Sequence, residues 1–109
     1  MPSSHIERLE QLADAYGVAH SFDTVADAII AQTQITAGKN ERDAVIALVR
    51  YLVLNERVLT TLEQADVLTG PDRAEMTRIV APFPGLKMPA DSLVSIVLAN
   101  VASILQSRR

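Results

Sequence analysis

Apolar residues recur along this chain three and four positions apart, the spacing that lines one side of an α-helix. Ile6, Leu9, Leu12, Ala13 and Tyr16 share a face of a helix predicted over 4–16. Val25, Ile29 and Ile30 do the same over 24–37, and Val45, Leu48, Leu52 and Leu59 over 41–59. A short helix is expected over 61–68, and another over 72–81 with Met76, Ile79 and Val80 inward. The last, over 90–106, is apolar on more than one face: Leu93, Val94, Ile96, Val97, Leu98, Val101, Ile104 and Leu105. Such a helix is central in a bundle or shared between copies. No stretch alternates apolar and polar residues, so no strand is predicted.

The punctuation agrees with this division. Gly17, Gly38 and Gly70 follow apolar-periodic runs, where a helix ends on a left-handed residue. Ser4 with Glu7, Thr24 with Asp27, Thr60 with Glu63, and Asp72 with Glu75 place an oxygen three residues before an acid, as in a capping box. Asn40 offers a cap to the third helix. The Thr60–Glu63 pattern favours a bend between the third and fourth helices. The fold class expected is all-α: one compact bundle of five to six helices spanning residues 1–109, with the last helix central and the third packed against it. The expected core is Leu9, Leu12, Ile29, Val45, Leu48, Leu52, Leu62, Ile79, Val97, Val101 and Ile104.

Composition sharpens this picture. Hydrophobic residues make up 49% of the 109 positions but aromatics only 4%, so helix-on-helix packing of aliphatic side chains is the natural core. There is no cysteine, which excludes disulfides, thiol catalysis and thiolate metal sites. The opening Met-Pro-Ser-Ser-His lacks the pattern of a signal peptide. Neither apolar run, 44–54 nor 93–105, approaches the ~20 residues of a membrane span. A cytoplasmic protein is expected. Charge is uneven. Residues 1–38 carry five acids and only Arg8, whereas 76–109 carry Arg78, Lys87, Arg108 and Arg109 against Asp91. That asymmetry reads either as solvated surface or as head-to-tail complementarity with another molecule.

Candidate chemistry is sparse. His20 with Asp23 and Asp27 could approach a metal, but the two acids also suit the start of a helix, and no metal site is expected. Nucleophile elbows and glycine-rich phosphate loops are absent. Two stretches, 12–27 and 61–80, resemble a helix-turn-helix. The first has a linker, 19–23, longer than the motif's turn and is acidic where a reading helix needs cations; the second has Asp66 where a small buried residue is expected and Pro71 in its turn, so nucleic-acid binding is not the favoured reading. Asp91-Ser92-Leu93, continuing to Leu98, resembles the prosthetic-group attachment motif of acyl and peptidyl carrier proteins. The resemblance covers about eight residues, and it implies a small acidic helical carrier with Ser92 bearing phosphopantetheine. That family places two further helices after the one following the serine, and sixteen residues follow Leu93 here.

What remains are surfaces. Ser95, Ala99 and Ser103, with Ala102 beside them, put a stripe of small side chains along the last helix. The proline-bounded loop after the fifth helix carries Phe83, Leu86 and Met88, either as a partner contact or as a plug folded onto the bundle. Tyr51, Asn55 and Asn100 are polar positions that could converge in a pocket. The expected function is that of a non-enzymatic protein-interaction module (an adaptor, regulator or inhibitor), with another protein or a second copy as partner and no cofactor.

Overall fold

The computed structural model describes residues 4–107, and within them every regular element is a helix: α1 (His5–Tyr16), α2 (Phe22–Thr33), α3 (Lys39–Leu54), α4 (Glu56–Glu63), α5 (Gly70–Val80) and α6 (Ala90–Gln106). Arg108 and Arg109, part of the basic tail, lie outside the described residues. None of the helices described is long and apolar enough to cross a membrane. The radius of gyration is 12.8 Å, close to the ~13 Å of a folded chain of about 100 residues.

Local chemistry sets several of these boundaries as read. Ser4 Oγ accepts the Glu7 N–H at 3.1 Å and starts α1. Gly17, at φ 71°, ends it in the left-handed conformation, while the N–H of Val18 reaches back to Ala13. Others fall elsewhere. Ser21 rather than Thr24 caps α2, and Thr69 rather than Asp72 caps α5, each accepting an N–H three residues on. Gly38 is the N-cap of α3 and displaces Asn40 from that role, while Gly70 opens α5. The turns preceding them are made by Gln34 and Ala65, non-glycine residues with positive φ of 57° and 58°.

The break between α3 and α4 falls at Asn55, five residues before the expected bend. The Asn55 N–H meets the Leu52 carbonyl at 3.2 Å and its Nδ2 meets that of Tyr51 at 2.6 Å. Arg8 Nε donates to the Val53 carbonyl at 2.5 Å, and Arg8 Nη1 lies 3.5 Å from Glu56 Oε2. Carbonyls left open at the end of a helix thus find donors, one from another helix. Arg8 is itself buried at 6% exposure.

The core joins all six helices through Leu12, Val25, Ile29, Leu48, Leu52, Met76, Leu93 and their buried neighbours. Eight of the expected core residues are buried. Leu9, Ile79 and Ile104 are half-buried instead. Ile6 is 70% exposed, because it lies six residues from Leu12 and so turns off the face that Leu12 shares with Arg8 and Leu9. α6 is central, touching α1, α2, α4 and α5. α3 has the same four neighbours and packs chiefly on α2 and α5, not extensively on α6 as expected. The two longest helices, α3 and α6, are thereby each covered by the other four.

Polar side chains tie the layers together. Arg57 makes a bidentate pair with buried Asp72, at 2.6 and 2.8 Å. Arg42 holds Asp27 at 2.7 and 3.1 Å. In both pairs the arginine's hydrogen bonds are the main cause pulling the carboxyl below its ordinary value. A carboxyl lowered in the folded state stabilises the fold above the unfolded pKa, about 3.9, and that contribution disappears as pH falls through the folded value. Thermal melts are therefore expected to hold level from pH 7 to about 5 and to fall below about 4. Asp72→Asn should flatten part of that acid limb.

Glu41 is an exception to this satisfaction. It is 2% exposed in the first turn of α3, and its Oε1 has no hydrogen-bond partner. An unpaired buried acceptor costs about 1–3 kcal/mol, which exceeds the roughly 0.3–1 kcal/mol an acid gains near a helix N-terminus. Glu41→Leu is expected to raise stability by about 1 kcal/mol, read as a higher urea midpoint at unchanged slope. A lowered midpoint would show that the carboxylate is satisfied.

Candidate interaction groove

The segment 64–69 turns sharply after α4. Ala65 takes a positive φ, and Asp66 Oδ1 accepts the Val67 N–H at 3.0 Å. This turn pushes Val67 outward, 87% exposed, and folds Leu68 back half-buried onto the core. Opposite it runs α6, whose inward stripe of Leu93, Val94, Val97, Leu98, Val101 and Leu105 leaves Ser95, Ala99 and Ser103 on the outer side. Gln106 Nε2 donates to the Leu62 carbonyl at 2.9 Å and holds the end of α6 against the end of α4.

Between these elements lies a groove of about 300 Å³. Ser95, Leu98, Ala99 and Ala102 form the α6 side, Leu62, Val67 and Leu68 the other, with Asp66 and Arg73 as its charged members. Arg73 Nη2 donates to Ser95 Oγ at 2.5 Å across one edge. Asp66 and Arg73 both line the groove, and no ion pair joins either to an opposite charge among the described residues. Small side chains along one helix let another backbone come close. With one carboxylate, one guanidinium and otherwise short or apolar groups, the groove is shaped to hold apolar side chains and orient them by charge.

The other sequence candidates sit apart from it. Ser103 is exposed one turn beyond Ala99 and does not line the groove. Phe83, Leu86 and Met88 are half-buried and packed against the core, and the loop lies so near the start of α3 that a Cβ on Gly85 would stand 3.2 Å from Asn40 Nδ2. The plug alternative describes that packing. Ser92 is half-buried in the first turn of α6, its N–H bonded to Asp91 Oδ1.

His20, Asp23 and Asp27 do not converge. His20 Nε2 pairs with Asp14 at 2.8 Å, Asp27 with Arg42, and Asp23 stands 4.0 Å from Arg42. No group of three metal-ligating side chains occurs among the described residues. These contacts also engage much of the acidic front within the chain itself.

Tyr51, Asn55 and Asn100 hold structure rather than a shared pocket. Asn55 caps α3, whereas Asn100 accepts the Tyr16 hydroxyl at 2.5 Å and donates to Gln32 at 3.2 Å, linking α6 to α1 and α2. Burial raises the Tyr16 pKa well above its ordinary value and keeps the phenol neutral. In the second helix-turn-helix-like stretch, Arg78 bonds Glu75 and Arg73 donates to Ser95, while Arg57, which precedes the stretch, holds its Asp72. A second hollow, of about 400 Å³, is lined by Ser4, His5, Ile6 and Arg8 of the first turns of the chain.

Of the residues lining this groove, sequence reasoning singled out Ser95, Ala99 and Ala102 as surface and not Asp66, Val67, Leu68 or Arg73. The available signal was Val67-Leu68 in a segment otherwise ended by polar and turn-forming residues. Comparison with known protein families, with characterised proteins and with solved structures finds no match to this chain.

Proposed function

We propose that this protein is a non-enzymatic interaction module that binds another polypeptide through the α4–α6 groove, in a cytoplasmic setting. The observation that carries the reading is Val67, a large apolar side chain 87% exposed beside a hollow lined by Ser95, Ala99 and Ala102 with Leu62, Leu68 and Leu98. Isolated exposed apolar residues are ordinary, but one that adjoins an apolar groove extends a contiguous patch of the kind interfaces use. Asp66 and Arg73 on the same groove would fix a partner's register.

The test is a photo-crosslinking amino acid at position 67 in cells, beside a control at Lys39, whose side chain is 87% exposed at the start of α3. The reading expects discrete polypeptide adducts from position 67, their loss on Ala99→Trp, and none from position 39. Ala99 is exposed, so the melting temperature should hold. Equal or absent adducts at the two positions would sink the proposal.

A further inference from the structure

The groove carries its own complement. An isologous contact requires that whatever one copy presents, the other receives, so both halves of each match must lie on one surface. Here they do so twice. Val67 projects beside a hollow of Ser95, Ala99 and Ala102 large enough for an aliphatic side chain. Asp66 and Arg73 line the same groove, one acid and one base, and no ion pair joins either to an opposite charge within the described residues. Any partner at this groove meets Val67 as well as the hollow. A second copy related by a two-fold axis brings the complement of the hollow, of Val67 and of both charges.

We propose that the occupant of the α4–α6 groove is a second copy of this chain, each Val67 seated on its partner's α6 hollow and each Asp66 facing its partner's Arg73. This rests on the groove being an interaction surface. The Arg73–Ser95 bond joins two exposed side chains, so Arg73 can exchange that hydroxyl for a carboxylate at little cost.

The test is a charge swap read by sedimentation from about 1 µM to about 500 µM, a span that covers weak and moderate dimers. Wild type should dimerise reversibly. Asp66→Arg sets two guanidinium groups against each other across the axis, and Arg73→Asp sets two carboxylates together. Each variant alone should dimerise at least about tenfold more weakly. Mixed in equal amounts, they restore opposite charges across the axis, and a heterodimer should return at near wild-type affinity. Both sites are exposed, and an acid at position 73 remains within the first two turns of α5, where negative charge is tolerated. Circular dichroism checks the fold, and Val67→Asp supplies an independent disruption.

A wild type that stays monomeric throughout overturns the inference, as does a dimer indifferent to all three substitutions or a mixture that fails to recover. A monomer whose position-67 crosslinker still captures a different polypeptide overturns only the second copy and leaves the groove reading intact. A monomer with no adduct overturns both.

Discussion

Replacing Leu48 with alanine should cost about 3 kcal/mol, within the roughly 2–5 kcal/mol typical of buried leucines. Leu48 is 1% exposed on α3, the helix that packs most closely on α2 and α5. Truncation removes apolar surface from the core and leaves a void that helices held on several sides close poorly. A domain of this size has about 5–15 kcal/mol in total, so the loss is a large fraction of it. At about 4–8 °C per kcal/mol, the melting temperature should drop by more than about 10 °C. Val67→Ala, melted like the others at a concentration low enough to keep the chain monomeric, is the matched control. Its side chain is almost wholly in water, and its melt should be unchanged. A Leu48→Ala protein as stable as the control would mean that α3 is not built into the core.

Arg8→Ala is expected to be nearly as damaging, at about 2–3 kcal/mol, although it removes a charged residue. The side chain is 7% exposed and lies between the end of α3 and the start of α4, bonded to the Val53 carbonyl and paired with Glu56. Without it, the carbonyl at a helix end loses its donor in a dry setting, and the aliphatic stem leaves a gap. Arg8→Lys should restore only part of the loss, because one ammonium cannot reproduce a guanidinium fork that faces two acceptors. Urea unfolding of the three proteins checks the order wild type, lysine, alanine. Equal midpoints for wild type and alanine would remove Arg8 from the account of the α3–α4 break.

These two residues also mark where sequence reading succeeds and fails. Leu48 was legible because a helix repeats its inward face at fixed intervals. For the same reason α6 spans 90–106 as expected, and Ser4 and Gly17 bound α1 as read. Arg8 was not legible. Its partner carbonyl is 45 positions away, and no local pattern announces a buried arginine. α3 ends at Asn55, beside that contact, five residues before the Thr60 cap pattern.

Gly38 and Gly70 misled as well. The left-handed turns belong to Gln34 and Ala65, exposed residues whose N–H groups bond back to Ile30 and Leu62 in a conformation that glycine would adopt more freely. The groove was half legible. Small residues four apart on α6 announce a shallow face, but the sequence does not show that segment 64–69 turns Val67 outward instead of inward.

The central claim is that the molecule meets its surroundings through the apolar face between α4 and α6. Hydroxyl-radical footprinting, comparing dilute purified protein with protein at native concentration in its own lysate, tests this most directly. Oxidation of Val67 and Leu68 should fall severalfold in the lysate, while Ile6 and Leu54, exposed at 70% and 55% elsewhere on the bundle, should react equally in both. Equal oxidation of Val67 in the two samples, or protection confined to Ile6 and Leu54, would contradict it.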